Sequence, residues 1–76
     1  MAISRTELEL LKLDPESVFK SPQDVAARSD LSREQMREIL DAWADMLRLR
    51  MRQSGGEEAA LRASLRLIAS LQRRLR

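Results

Sequence analysis

Ser32-Arg33-Glu34-Gln35-Met36-Arg37-Glu38-Ile39-Leu40-Asp41-Ala42-Trp43-Ala44-Asp45-Met46-Leu47-Arg48-Leu49-Arg50-Met51-Arg52-Gln53-Ser54-Gly55-Gly56 is the most legible stretch of the chain. It opens on a capping box, in which the Ser32 hydroxyl can accept the Gln35 backbone N–H and the Gln35 amide can return the bond. It closes on two glycines, which take the left-handed conformation at no steric cost and weaken helix interiors. Between these signals, Met36, Ile39, Leu40, Trp43, Met46, Leu47 and Met51 fall within an arc of ~140° at 100° per residue. Glu34, Arg37, Glu38, Asp41, Asp45, Arg48 and Arg52 take the opposite side. The pattern predicts a long amphipathic helix over residues 32–53.

Beyond the glycines, Leu61, Leu65, Ile68 and Leu75 share one face of a predicted helix over residues 57–75, with Ala69 and Leu71 at its edges. A connection as short as Ser54-Gly55-Gly56 forces two such helices into an antiparallel hairpin with facing stripes. Upstream, Asp14-Pro15 and Ser21-Pro22 each place proline directly after a capping residue, the arrangement favoured at helix starts. Ser21-Pro22-Gln23-Asp24 therefore opens a short helix, expected over residues 21–30. Ser4 and Thr6, with Glu7 and Glu9, mark a short first helix over residues 4–13 of an N-terminal segment, 1–18. Val18, Phe19, Val25 and Leu31 are expected to cover the apolar edge that the hairpin leaves open. The expectation is one all-α domain spanning 1–76, with a short N-terminal helix or helices packed on a long antiparallel helical hairpin, three to four helices in all.

Composition agrees and removes several classes of chemistry. The 76 residues hold no cysteine and no histidine, so disulfides, zinc–thiolate sites and imidazole catalysis are excluded. Two glycines, two prolines, no tyrosine and 34% charged residues read as helical. No apolar run approaches the ~20 residues that a membrane span needs, and the start of the chain lacks a secretory pattern. A soluble, cytoplasmic chain is expected. The eight serines have no histidine base, and Asp41 and Asp45 sit i, i+4 on a face expected to be solvated, where carboxylates stay ordinary. Neither a glycine-rich phosphate loop nor a calcium-type carboxylate cluster is present. We expect no enzyme, no cofactor and no metal.

Charge is uneven. The net +2 divides into −4 over residues 1–47 and +6 over residues 48–76. Arg48, Arg50, Arg52, Arg62 and Arg66 form a basic patch around one end of the hairpin, of a kind that can neutralise phosphates. The same placement serves the helix dipoles, because Arg48, Arg50 and Arg52 close one helix, Arg73, Arg74 and Arg76 close the next, and Glu57 and Glu58 open it. Antiparallel pairing should bring Arg66 towards Asp41 and Asp45, and Arg73 and Arg74 towards Glu34 and Glu38. Trp43, mid-stripe, reads as a core anchor, and Met36, Met46 and Met51 as adaptable core filling. Leu49, Leu67 and Leu71 are expected to point away from the hairpin interface and to offer a second apolar surface.

Two resemblances follow. Asp24-Val25-Ala26-Ala27-Arg28-Ser29-Asp30-Leu31-Ser32-Arg33-Glu34-Gln35-Met36-Arg37-Glu38-Ile39-Leu40 resembles the repressor-type helix-turn-helix, although Asp30 stands where that pattern usually has glycine. The resemblance implies a second helix in the major groove, with Arg33, Glu34 and Glu38 at the positions that would meet DNA. Phe19-x-Ser21-Pro22-x-Asp24-Val25, Leu31-Ser32-Arg33-Glu34-Gln35 and Ile39-Leu40-x-x-Trp43 look like a family of small uncharacterised bacterial helical proteins, over roughly residues 19–72. That resemblance implies the fold and no activity, and this chain differs from it by its arginines within 45–54. The functional expectation is an accessory protein that binds another protein through Arg48, Leu49, Arg52, Arg62, Arg66 and Leu67, with homodimerisation compatible. The alternative is nucleic-acid binding through Arg33 and Arg37 or through the arginine patch.

Overall fold

The computed structural model describes residues 2–53 and 58–75. The Ser54-Gly55-Gly56 turn, Glu57 and Arg76 lie outside the described residues. Five helices follow one another: α1 (Arg5–Leu13), α2 (Pro15–Val18), α3 (Pro22–Ala27), α4 (Arg33–Gln53) and α5 (Glu58–Arg74). Among the described residues there is no strand, and no helix is long and apolar enough to cross a membrane. The helix beyond the expected three to four is α2, a single turn that Pro15 starts and Phe19 ends by turning extended.

The capping box forms at the start of α4. Gln35 N donates to Ser32 Oγ and Ser32 N donates to Gln35 Oε1, each at 3.1 Å. The Gln35 amide then does a second job. Its Oε1 also accepts from Ile3 N at 3.3 Å, and its Nε2 donates to Ile3 O at 2.8 Å. One side chain thus caps α4 and holds the backbone that leads into α1, whose own cap is Ser4 Oγ accepting from Glu7 N. Leu8 drives the docking of α1 by burying its whole side chain, worth about 1.5–3 kcal/mol for a leucine. Arg5 and Lys12 add ion pairs to Glu38, each at 3.4 Å.

Proline spacing places Phe19. The turn of α2 closes with Phe19 N donating to Pro15 O at 2.8 Å, and the Asp24 carboxylate accepts from Lys20 N and Ser21 N to start α3. Between these two short helices Phe19 points inward, its ring 6.3 Å from that of Trp43. The Arg28 guanidinium sits 5.5 Å over the outer face of Phe19. α3 stops at Ala27, short of the expected residue 30. Arg28 turns extended there, and its side chain forks onto Asp30, with Nε–Oδ1 at 2.7 Å and Nη2–Oδ2 at 2.6 Å.

One core results. It joins Leu8, Phe19, Val25 and Leu31 to Ile39, Leu40, Trp43, Ala44 and Leu47 of α4 and to Leu61, Ile68 and Leu71 of α5. Met36, Met46 and Met51 are half-buried against it. Two expectations about burial fail. Val18 is about half exposed and does not cover the edge, because the turn that buries Phe19 leaves its neighbour outside. Leu71 is buried and Leu67 packs partly against the core, so neither belongs to a free apolar surface. The cause is α3, which packs on α5 as well as on α4 and gives α5 a second face to bury.

The hairpin is antiparallel, as Gln72 of α5 shows by donating to Arg37 O at 3.1 Å and to Asp41 Oδ1 at 2.7 Å. Among the described residues, no ion pair joins Arg66 to Asp41 or Asp45, or Arg73 and Arg74 to Glu34 and Glu38. Gln72 holds Asp41, Arg48 holds Asp45, and α1 supplies the partners of Glu38.

The double use of Gln35 separates two variants. Q35A should cost about 1–2 kcal/mol and strip hydrogen-exchange protection from the α1 amides. S32A should cost about 1 kcal/mol and leave α1 protected. Equal loss of α1 protection in both variants would contradict the contact with Ile3.

Candidate functional site

The last two turns of α4 and the first turns of α5 bring the predicted arginines together. Arg48, Met51 and Arg52 of α4 face Glu58 and Leu65 of α5 across a shallow groove of about 560 Å³. Next to it, Glu58, Ala59, Arg62, Ala63 and Arg66 line a second recess of about 400 Å³ along α5. Glu58 belongs to both, so the two recesses adjoin: Arg48 and Arg52 line the groove between the helices, and Arg62 and Arg66 line the recess on α5.

Its electrostatics are only partly compensated. Arg48 Nη1 donates to Asp45 at 3.1 Å and Arg62 Nη2 to Glu58 at 3.0 Å, but all four side chains are more than 60% exposed. Such pairs contribute roughly 0–1 kcal/mol each and exchange readily with other partners. Arg52 and Arg66 have no ion pair among the described residues. The floor is apolar: Met51 and Leu65 are half-buried and pack on the core from one side only.

Two of the six predicted residues lie elsewhere. Leu49 is exposed but about 100° around α4 from Arg48, and it lines neither recess. Leu67 packs against the core. Sequence reasoning placed Met51 inside the α4 stripe and Leu65 inside the α5 stripe without assigning either to the surface. Their signal was position, since each sits at the turn end of its stripe. Arg50 also separates from the patch. It donates to Glu16 through Nη2 at 2.6 Å and Nη1 at 3.3 Å, and so ties α2 to the last turns of α4.

The helix-turn-helix positions have a different setting. Arg33 and Arg37 are exposed on the first turns of α4, next to the equally exposed Glu34 and Asp41. The backbone leading into α1 borders this strip at Ile3, α1 borders it through Arg5 and Lys12 on Glu38, and α5 borders it through Gln72. Lys12, Glu38, Asp41, Ala42 and Asp45 line a recess of about 290 Å³ on the α1 side. There Glu9 and then Glu38 hold the Lys12 ammonium above its ordinary pKa by hydrogen bonding. No group of described residues there or elsewhere is arranged to hold a metal ion. At the turn itself, Asp30 keeps a negative φ and anchors Arg28, which accounts for a chain without the usual glycine.

Comparison with protein-family models, with curated proteins and with solved structures gives no match to this chain.

The Arg28–Asp30 fork yields a pH dependence. The hydrogen bond from Arg28 holds the Asp30 carboxyl below its ordinary range, so the native state binds fewer protons there than the unfolded chain. Its stabilisation is present above the ordinary carboxylate pKa and is lost as pH falls through the lowered one. The melting temperatures of the wild type and D30N should therefore differ at pH 7 and converge towards pH 2. A gap that stays constant across that range would rule the coupling out.

Proposed function

We propose that this chain is a small, non-enzymatic accessory protein of the bacterial cytoplasm that works by binding another protein. The proposed binding surface is the turn-proximal end of the α4–α5 hairpin. The observation that carries the reading is the apolar floor of Met51 and Leu65 flanked by Arg48 and Arg52, with Arg62 and Arg66 lining the adjoining recess that shares Glu58. An apolar centre within a polar, charged rim is the usual anatomy of a protein interface, and arginine is enriched there. Binding is favoured over catalysis because guanidinium groups keep their protons at neutral pH and act as fixed donors. Protein is favoured over single-stranded nucleic acid because the chain's two aromatic residues, Phe19 and Trp43, are both buried. No aromatic face is offered for bases to stack on.

A photo-crosslinking amino acid in place of Arg52, Ala63 or Glu34, incorporated in living cells, tests this. Positions 52 and 63 should give adducts that proteases destroy and nucleases leave intact, and position 34 should give none. Nuclease-sensitive adducts, strongest when Arg33 or Arg37 carries the probe, would replace this reading with nucleic-acid binding. Adducts only at twice the chain's mass would make the partner a second copy and overturn a separate one.

A further inference from the structure

We infer that the occupant of this surface is a short, acidic, amphipathic helix of a partner protein, an inference that rests on the surface being a protein-binding site. Two arginines, Arg48 and Arg52, flank the floor and two more, Arg62 and Arg66, line the adjoining recess; among the described residues only Asp45 and Glu58 answer them, and Arg52 and Arg66 have no ion pair. A complementary partner brings carboxylates, which arginine takes in a bidentate fork. The floor requires something more than charge. Met51 and Leu65 gain from contact with an apolar side chain, and the unbranched thioether of Met51 adapts to one. The partner segment therefore presents leucine-like residues inward and acidic residues to both sides.

Length follows from the charge order along α4. On the face that carries Arg52 and Arg48, the next residues at helical spacing are Asp45, Asp41, Glu38, Arg37 and Glu34, four carboxylates against one arginine. At 1.5 Å per residue, the positive strip gives way to carboxylates within about 10 Å of Arg52. A duplex carries a negative charge every ~1.7 Å along its axis, so laid along this face it would soon run into those carboxylates. About two turns of an acidic helix remain within the positive strip.

Helical form follows from the shape of the site. The groove runs between two antiparallel helices, α4 and α5, so an occupant laid along it lies against both. A third helix can lie along such a groove as helices pack on one another, and the described residues contain no strand edge that an extended peptide could lengthen. Recognition is then of the helix-in-groove kind, with apolar anchors at i, i+3, i+4 and i+7.

The test measures fluorescence anisotropy of labelled probes with the full chain at physiological salt. The first probe is a capped peptide of about 10 residues with leucines at i, i+3, i+4 and i+7 and glutamates elsewhere. The second replaces its glutamates by lysine, the third replaces its leucines by serine, and the fourth is a DNA duplex of about 20 base pairs. Only the first should bind, gaining helical circular dichroism as it does. R52E/R66E should weaken it by about tenfold or more, M51Q should weaken it less, and R33E/R37E should leave it unchanged. Each variant is compared at unchanged helix content. Equal binding of the lysine or serine probes, or displacement of the peptide by duplex, would overturn the inference. If the first probe fails while Arg52 still crosslinks to a protein in cells, the helix fails and the surface stands. If the Arg52 position yields no protein adduct, both fall.

Discussion

Burial of Trp43 beneath Phe19 is the contact on which this small chain turns. The apolar stripe of α4 spans more of its circumference than α5 alone can cover, and its widest side chain lies mid-stripe. Covering that ring brings in the segment before α3, and Phe19 does it at a centroid separation of 6.3 Å. Removal of either ring from a core costs on the order of 3–5 kcal/mol, a large part of the 5–15 kcal/mol that stabilises typical domains. Asp14-Pro15 and Ser21-Pro22 are the local means to that end. They start two short helices and leave Phe19 extended between them, in reach of the ring.

The backbone plan could be read in advance because its signals are local. A Ser–Gln capping box, two capping-residue–proline pairs and two 3.6-period stripes each act within a few residues. They locate the starts of α2, α3 and α4, and the antiparallel pairing of α4 with α5, close to where they fall. Leu71 and Val18 were misplaced because their burial depends on a neighbour that no local pattern names. A helical wheel drawn for a two-helix contact gives α5 one buried face, whereas the packing of α3 against it makes two. The same holds for the end of α3, where Arg28 leaves the helix to grip Asp30 and cover Phe19.

The candidate surface was legible in its charges and illegible in its floor. Arginines at the turn end of two antiparallel helices must lie near one another, so Arg48, Arg52, Arg62 and Arg66 gathered as the topology requires. Arg50 left the group for Glu16, a partner 34 positions away that no helical spacing could suggest. Leu49 and Leu67 stand outside the stripes, which is the sequence signal of a spare leucine. The apolar residues at the site turned out to be Met51 and Leu65, which belong to the stripes and face outward only where the core runs out. Gln35 shows the same limit, since its second contact, to Ile3, reaches across 32 positions. In each case the missing information was tertiary.

The account stands or falls on whether the N-terminal helices and the hairpin share one core through Trp43. The chain has a single tryptophan, so its fluorescence reports the burial of that ring alone, while far-ultraviolet circular dichroism reports all the helices. Unfolding in urea followed by both signals should give superimposable curves with one midpoint and one slope. Emission that shifts to the red at lower urea while helix content persists would mean that the hairpin stands without its N-terminal cover, and would contradict the account.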